Sequence, residues 1–279
     1  MNNHAVKIVT DSSANLLAMD GVEFASVPLK VIVGEREFAD DATVDMEELY
    51  RLLEKHPAHT CTSCPSVHDW LEAFGEAKDV ICITLASTMS GSCSTARIAK
   101  REYEALHHGR HVYLIDSLSI GPEMALLAER ARALLLGGMS APAVYRALIC
   151  YRARTKLVFS LSGLKNCAEN GRVEHKSAQG IGVMGVGAVG CASEEGSLDI
   201  QEKCRGKKQI WEGILRQMKR LGYAGGRILI SHSGNEAGAL ELMRHIRDAF
   251  GSVDIQVSES RALCGYYAEQ GSLLIGMEC

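Results

Sequence analysis

Val80-Ile81-Cys82-Ile83-Thr84-Leu85-Ala86 is an apolar run that breaks into Ser87-Thr88-Met89-Ser90-Gly91-Ser92-Cys93-Ser94-Thr95-Ala96, small polar residues opening a helical segment. A strand ending this way leaves backbone N–H groups unpaired at its tip, and the dipole of the following helix favours negative charge there. The stretch reads as a strand–turn–helix unit with an anion site at the turn. The hydroxyls of Ser87, Ser90 and Ser92 are candidate donors to that site.

The same grammar recurs on both sides. Val6–Thr10 alternates as a strand and ends in Asp11-Ser12-Ser13-Ala14-Asn15, and Val112–Asp116 ends in a polar tip with Ser117, Ser119 and Gly121. Val27–Val33 is predicted as one strand with a turn at Gly34–Glu37. Predicted helices start at Asp45, stopping before Pro57, and cover Val67–Ala77, the segment through Ala105, Pro122–Leu136 and Ala141–Arg152. Strands alternating with helices imply a mainly parallel sheet flanked by helices, which binds ligands at the carboxyl ends of its strands. The tips at Asp11, Ser87 and Asp116 are expected to converge on one edge.

From Thr155 the pattern changes. Strands are predicted near Lys156–Leu161, Gly180–Val189, Arg227–Ser231, Val253–Val257 and Ser272–Ile275, with helices near Ser162–Asn170, Lys208–Leu221 and Glu236–Phe250. The expectation is a two-domain α/β protein. Residues 1–155 form the first domain, residues 156–279 a second with a mixed or antiparallel sheet, and the cleft between them is the natural ligand site.

Of the 279 residues, 47% are apolar, enough for a sizeable core. A net charge of -4 and 5% aromatics give neither the basic field nor the stacking surfaces of a nucleic-acid binder. No apolar run of roughly 18 residues predicts a membrane span, so at most transient membrane contact is expected. Met1-Asn2-Asn3-His4-Ala5 lacks the charged and apolar regions of a signal peptide, which points to the cytoplasm.

Ten cysteines suit reduced thiols, with Cys82, Cys150 and Cys264 read as small core residues. Cys61-Thr62-Ser63-Cys64 is a lone Cys-x-x-Cys motif. No second pair completes a zinc site, although His59 and His68 are near, and no metal is expected. A thioredoxin-like dithiol is an alternative, because Pro65 and a helix follow.

Gly180–Gly185 and Gly185–Gly190 each match the dinucleotide fingerprint, yet the polar Glu174-His175-Lys176-Ser177 precedes them and the turn Ser193–Gly196 follows. A glycine-rich buried strand or packed connection fits better. Ser90-Gly91-Ser92 lacks a nucleophile elbow because Thr88 stands where the glycine belongs, and nothing ties His232 to Ser90. Arg205-Gly206-Lys207-Lys208 reads as a solvated turn before a helix or a contact for an acidic partner or phosphate.

Thr10–Leu16, Val27-Pro28-Leu29, Asp40-Asp41, Thr62–Ser66, Ser90-Gly91-Ser92, Asp116-Ser117, Gly171-Arg172-Val173 and Arg205–Lys208 follow, in order, the pattern of the DegV family. The chain resembles that family over nearly its whole length. The resemblance implies a bacterial, non-catalytic protein that buries a long-chain fatty acid between its two domains and needs no other cofactor. It also implies presentation of the bound carboxylate to a fatty-acid kinase. Thr62 and Ser90 fall on the carboxylate contacts, with Ser63, Gly91 and Ser92 beside them, and Arg205 on the partner contact. Departures are Cys64 for a usual glutamine and Tyr266 for a histidine near the head group. A hydrolase or thiol enzyme acting on a small acid or ester through Ser90 or Cys61/Cys64 is the alternative.

Overall fold

The computed structural model describes residues 6–55 and 60–279. The helix stop expected before Pro57, and His59, lie outside them. The chain runs through β1 (Val6–Asp11), a 3-10 turn (Ser12–Ala14), β2 (Glu23–Val27), β3 (Lys30–Val33), β4 (Arg36–Ala39), α1 (Met46–Lys55), β5 (Thr60–Ser63) and α2 (Val67–Phe74). Then come β6 (Asp79–Thr84), α3 (Ser92–Leu106), β7 (His111–Asp116), α4 (Pro122–Leu136) and α5 (Ala141–Arg152). The remainder is β8 (Thr155–Leu161), α6 (Lys165–Glu169), α7 (His175–Ala178), β9 (Val186–Ala192), β10 (Leu198–Arg205), α8 (Gly206–Arg220), β11 (Ile228–His232), α9 (Glu236–Phe250), β12 (Ile255–Glu259), α10 (Ala262–Ala268) and β13 (Leu273–Glu278).

The fold is α/β, as the alternation implies. A parallel sheet has the order β2-β1-β6-β7, and a six-stranded sheet has the order β10-β9-β8-β13-β11-β12. The second is mixed, because β11 pairs parallel with β12 while its other pairs are antiparallel. A small antiparallel sheet, β4-β3-β5, was not expected. It exists because Val27–Val33 is not one strand. Pro28 cannot donate to a ladder, and the chain leaves the parallel sheet there and re-pairs as β3.

Other differences have equally local causes. Gly180, Gly182 and Gly185 take positive φ angles of 81°, 85° and 71°, so β9 starts only at Val186. The polar stretch Leu198–Arg205, to which the sequence pattern assigns no element, is an edge strand with alternate residues exposed. Residues 262–268, expected near a C-terminal strand, are the helix α10. Its amides at Ala262 and Leu263 donate to the buried carboxylate of Asp40 at 3.0 and 3.2 Å. A cap supplied from so far along the chain leaves no local signature.

Asp11 is the junction of the parallel sheet. Its Oδ2 accepts from Leu85 N (2.9 Å) and Ser92 Oγ (2.7 Å), and its Oδ1 from Ser13 N (3.2 Å) and Ser13 Oγ. The carboxylate is fully buried and ties the end of β1 to the end of β6 and the start of α3. Burial pushes its pKa up, and these donors pull it back. Asp116 likewise accepts from Ser87 N (3.2 Å) and Leu118 N (3.1 Å), so the three strand tips meet at one edge.

One hydrophobic core runs through both sets of strands, joining Ile8, Ile81 and Ile83 to Leu127 of α4 and to Leu157 and Phe159 of β8. The start of α4 lies so close to β13 that a Cβ at Gly276 would come within 2.4 Å of Glu123 N. Replacing Asp11 by asparagine turns one of its acceptors into a donor facing donors. The expected cost is about 2–3 kcal/mol, read as a lower urea midpoint; a change below roughly 0.5 kcal/mol would show that the junction is not under strain.

Candidate functional site

A cavity collects residues of β5, β8, β10 and β13 and of the segments that follow β2, β6 and β7. Among the described residues that line it, all side chains apart from Thr62, Ser90, Arg172 and Tyr267 are apolar, six leucines among them. The four polar groups are joined into one chain of contacts. Thr62 Oγ1 and Tyr267 OH lie 2.7 Å apart, and the Arg172 guanidinium sits over the Tyr267 ring, 5.5 Å from its centroid. Arg172 Nε donates to Met89 O at 3.1 Å, which places the cation beside Ser90.

Each position follows from local structure. Thr62 and Thr60 occupy alternate positions of β5 and share a face, so their hydroxyls meet successive tyrosines of α10. Ser63 is one residue along the strand and points to the opposite face. Ser90 Oγ accepts the Ser92 N–H (3.2 Å), satisfying an amide that Gly91, the N-cap of α3, cannot reach; its own O–H remains able to donate. Burial pushes the pKa of the Tyr267 phenol up and the Thr62 bond pulls it back, so it is a neutral donor at pH 7.

The sequence-predicted residues divide accordingly. Thr62 and Ser90 line the cavity together, and Gly91 adjoins Ser90. Ser92 is buried and spends its hydroxyl on Asp11, so it braces the site rather than lining it. Tyr266, expected near the head group, is fully buried with its hydroxyl on Thr60 (2.8 Å) and Asn170 Nδ2 (2.9 Å), facing a different cleft. Tyr267, one residue on, lines the cavity. The cause is that the segment is a helix, in which each residue turns the side chain by about a quarter of a circle. Arg172, part of the Gly171-Arg172-Val173 motif, brings to the site a cation that no local sequence signal marks.

Arg205 is exposed at the end of β10, its N–H on Gln209 Oε1 (2.8 Å), and Gly206 N donates to Gly185 O (3.2 Å). His232 lies on β11, where Nδ1 accepts from Asn235 N (3.4 Å), away from the cavity lining. All ten cysteines are unbridged thiols; Cys61 is exposed and Cys64 half-buried.

The family model described as "Uncharacterised protein, DegV family" matches residues 5–278. The chain belongs to the DegV family. It is 35% identical over 276 residues to a DegV domain-containing protein of Streptococcus pneumoniae, covering 98% of each chain. Among solved structures it is similar to a DegV family protein from Eubacterium eligens loaded with heptadecanoic acid, with a TM-score of 0.96 and 34% identity over 98% of this chain and 99% of the other. It is also similar to the Streptococcus pneumoniae fatty acid kinase (Fak) B3 protein loaded with linoleic acid, with a TM-score of 0.95 and 34% identity at the same coverage.

In this DegV chain Cys64 is packed onto the site from below. A Cβ at Gly91 would sit 3.0 Å from Cys64 Sγ. Gly91 has φ -68°, so Gly91→Ala carries no backbone strain and its effect is steric alone. The expected loss is about 1 kcal/mol by thermal or urea unfolding, restored by Cys64→Ala in the same chain; equal losses in both backgrounds would disprove the contact.

Proposed function

We propose that this protein binds a long-chain fatty acid, burying the acyl chain in the leucine-lined cavity and holding the carboxylate at its single polar end. The observation that carries this reading is that segregation: all four polar lining groups belong to one linked cluster and the rest of the wall is apolar. The fatty acids bound by the similar Eubacterium eligens and Streptococcus pneumoniae proteins support it.

Ser90 and whichever hydroxyl of the Thr62–Tyr267 pair is not donating to the other give hydrogen bonds to the carboxylate, and Arg172 balances its charge from the rim. Burying roughly 15 methylenes contributes on the order of 12 kcal/mol before association costs. Each head-group hydrogen bond adds only about 1–3 kcal/mol. The tail therefore supplies affinity, and the head group fixes which end faces outward. The fatty-acid-loaded relatives support reading the protein as a carrier without catalysis of its own. Residues 1–155 supply the head-group loops with Thr62 and Ser90, and residues 156–279 add Arg172 and Tyr267 and cover most of the acyl chain. Unbridged thiols suit a reducing bacterial cytoplasm.

Mass spectrometry of the extracted purified protein is expected to find acyl chains. Their absence, with no binding of a fluorescent fatty acid, would end the proposal. Ser90→Ala is expected to weaken fatty-acid binding by about 1–3 kcal/mol with unchanged unfolding, measured by ligand titration.

The Fak B3 likeness supports a fatty-acid kinase as partner, with Arg205 at the contact. Arg205→Glu is expected to slow acyl phosphorylation by such a kinase roughly tenfold while leaving the lipid content intact; an unchanged rate would remove Arg205 from the interface.

A further inference from the structure

The loops after β6 and β7 close against the turn between β9 and β10 along a seam. Thr88 Oγ1 donates to Glu195 O at 3.2 Å, and Gly196 is pressed onto Leu118, where a Cβ would lie 2.8 Å from Leu118 O. Leu118 itself holds φ +55°, a left-handed conformation that costs a leucine free energy and persists only where packing enforces it. On one side of the seam, Ile120 and Leu198 line the apolar cavity. On the other side lies a surface cleft lined by Ser117, Leu118, Arg152, Lys156 and Ser193, with Glu123 at its floor.

Glu123 is 5% exposed. Its Oε2 accepts from Ser119 Oγ and its Oε1 from Thr155 Oγ1 (2.9 Å), so one carboxyl bridges the loop before α4 to the first residue of β8. Thr155 Oγ1 also lies 3.1 Å from Arg152 O. That second acceptor lets the hydroxyl donate to Arg152 O while taking the proton of a neutral carboxyl. Ser119 O in turn accepts from Ala86 N at 2.9 Å, which roots the loop carrying Met89 and Ser90. A contact chain therefore runs from Glu123 to the polar end of the cavity.

The charged and titratable groups facing Glu123 are Arg152 of α5, Lys156 of β8, Glu194 of the turn and the Cys279 thiol after β13. Arg152 is already engaged, donating to Asp116 O. Burial raises the Glu123 pKa to about 7, against the pull of Ser119, Thr155, Lys156 and Arg152.

We propose that Glu123 is a proton-controlled latch on this seam. The neutral carboxyl ties Ser119, in the loop that forms one lip of the seam, to Thr155 of β8 and so holds that lip in its closed place. The ionised carboxylate favours a wider seam in which it meets water, Arg152 and Lys156, and in which the cavity exchanges its ligand. That last step rests on the fatty-acid reading; the opening itself does not. Because the closed state holds its proton more tightly than the open state, raising the pH favours opening until the closed-state group has titrated, and has no further effect above that.

With a closed-state pKa of about 7 against the ordinary 4.5, the opening equilibrium is expected to rise roughly tenfold between pH 6 and pH 8 and then level off. Two measurements test this. Native-state hydrogen exchange of residues 117–123 and 152–157, divided by the intrinsic rate at each pH, reads opening without any ligand. Release of cis-parinaric acid, followed by fluorescence, reads exchange. Wild type is expected to follow the tenfold rise in both, and Glu123→Gln to stay slow and flat. A Glu123→Gln chain that tracks wild type, or a wild type whose exchange is flat with pH, would overturn the latch. The fatty-acid carboxyl titrates identically in both chains. If cis-parinaric acid never binds, the fatty-acid reading fails, and hydrogen exchange still decides the latch.

Discussion

A buried carboxylate holds the site in register. Asp11 ends β1, and its two oxygens take donors from the turn after β1, the end of β6 and the first residue of α3. Any carboxylate so buried must have its lone pairs filled, so these three segments are fixed relative to one another. Ser90 then sits at the start of α3 by consequence, and its position toward Thr62 is inherited from the strand ends. The helix tip that attracts an anion is thus partly quenched from inside by Asp11, and what remains for a ligand is a set of neutral donors with Arg172 at the rim.

The parallel half was legible because its signals are local. Each strand of the Val80–Ala86 kind is continuous in sequence, and each polar tip follows it directly. The convergence of Asp11, Ser87 and Asp116 on one edge followed from the general rule for parallel sheets. Pro28 splits Val27–Val33, but the sheet that β3 then joins depends on pairing with β5 from another part of the chain. The edge strand β10 was hidden because an exposed strand needs few apolar residues. α10 was hidden because Asp40 caps it from a distant strand.

The site divided along the same line. Thr62 lies on the strand β5 and Ser90 in a turn, both within motifs that the sequence marks, and the cavity takes both. Tyr267 and Arg172 matter only through the fold: one by the rotation of a short helix, the other by a contact with Met89 O on a different segment. Ser92 looked equivalent to Ser90 two residues earlier, and only the third dimension separates a hydroxyl bound to Asp11 from one facing the cavity.

The paired tyrosines of α10 have an evolutionary consequence. Tyr266 and Tyr267 answer Thr60 and Thr62 as two rungs of a ladder, one serving a cleft on each side of the helix. A single-residue insertion before the helix would leave an aromatic hydroxyl at the head group while exchanging which codon encodes it. Relatives can therefore diverge here by sliding rather than by substitution, and column-by-column identity at these two positions measures phase, not chemistry.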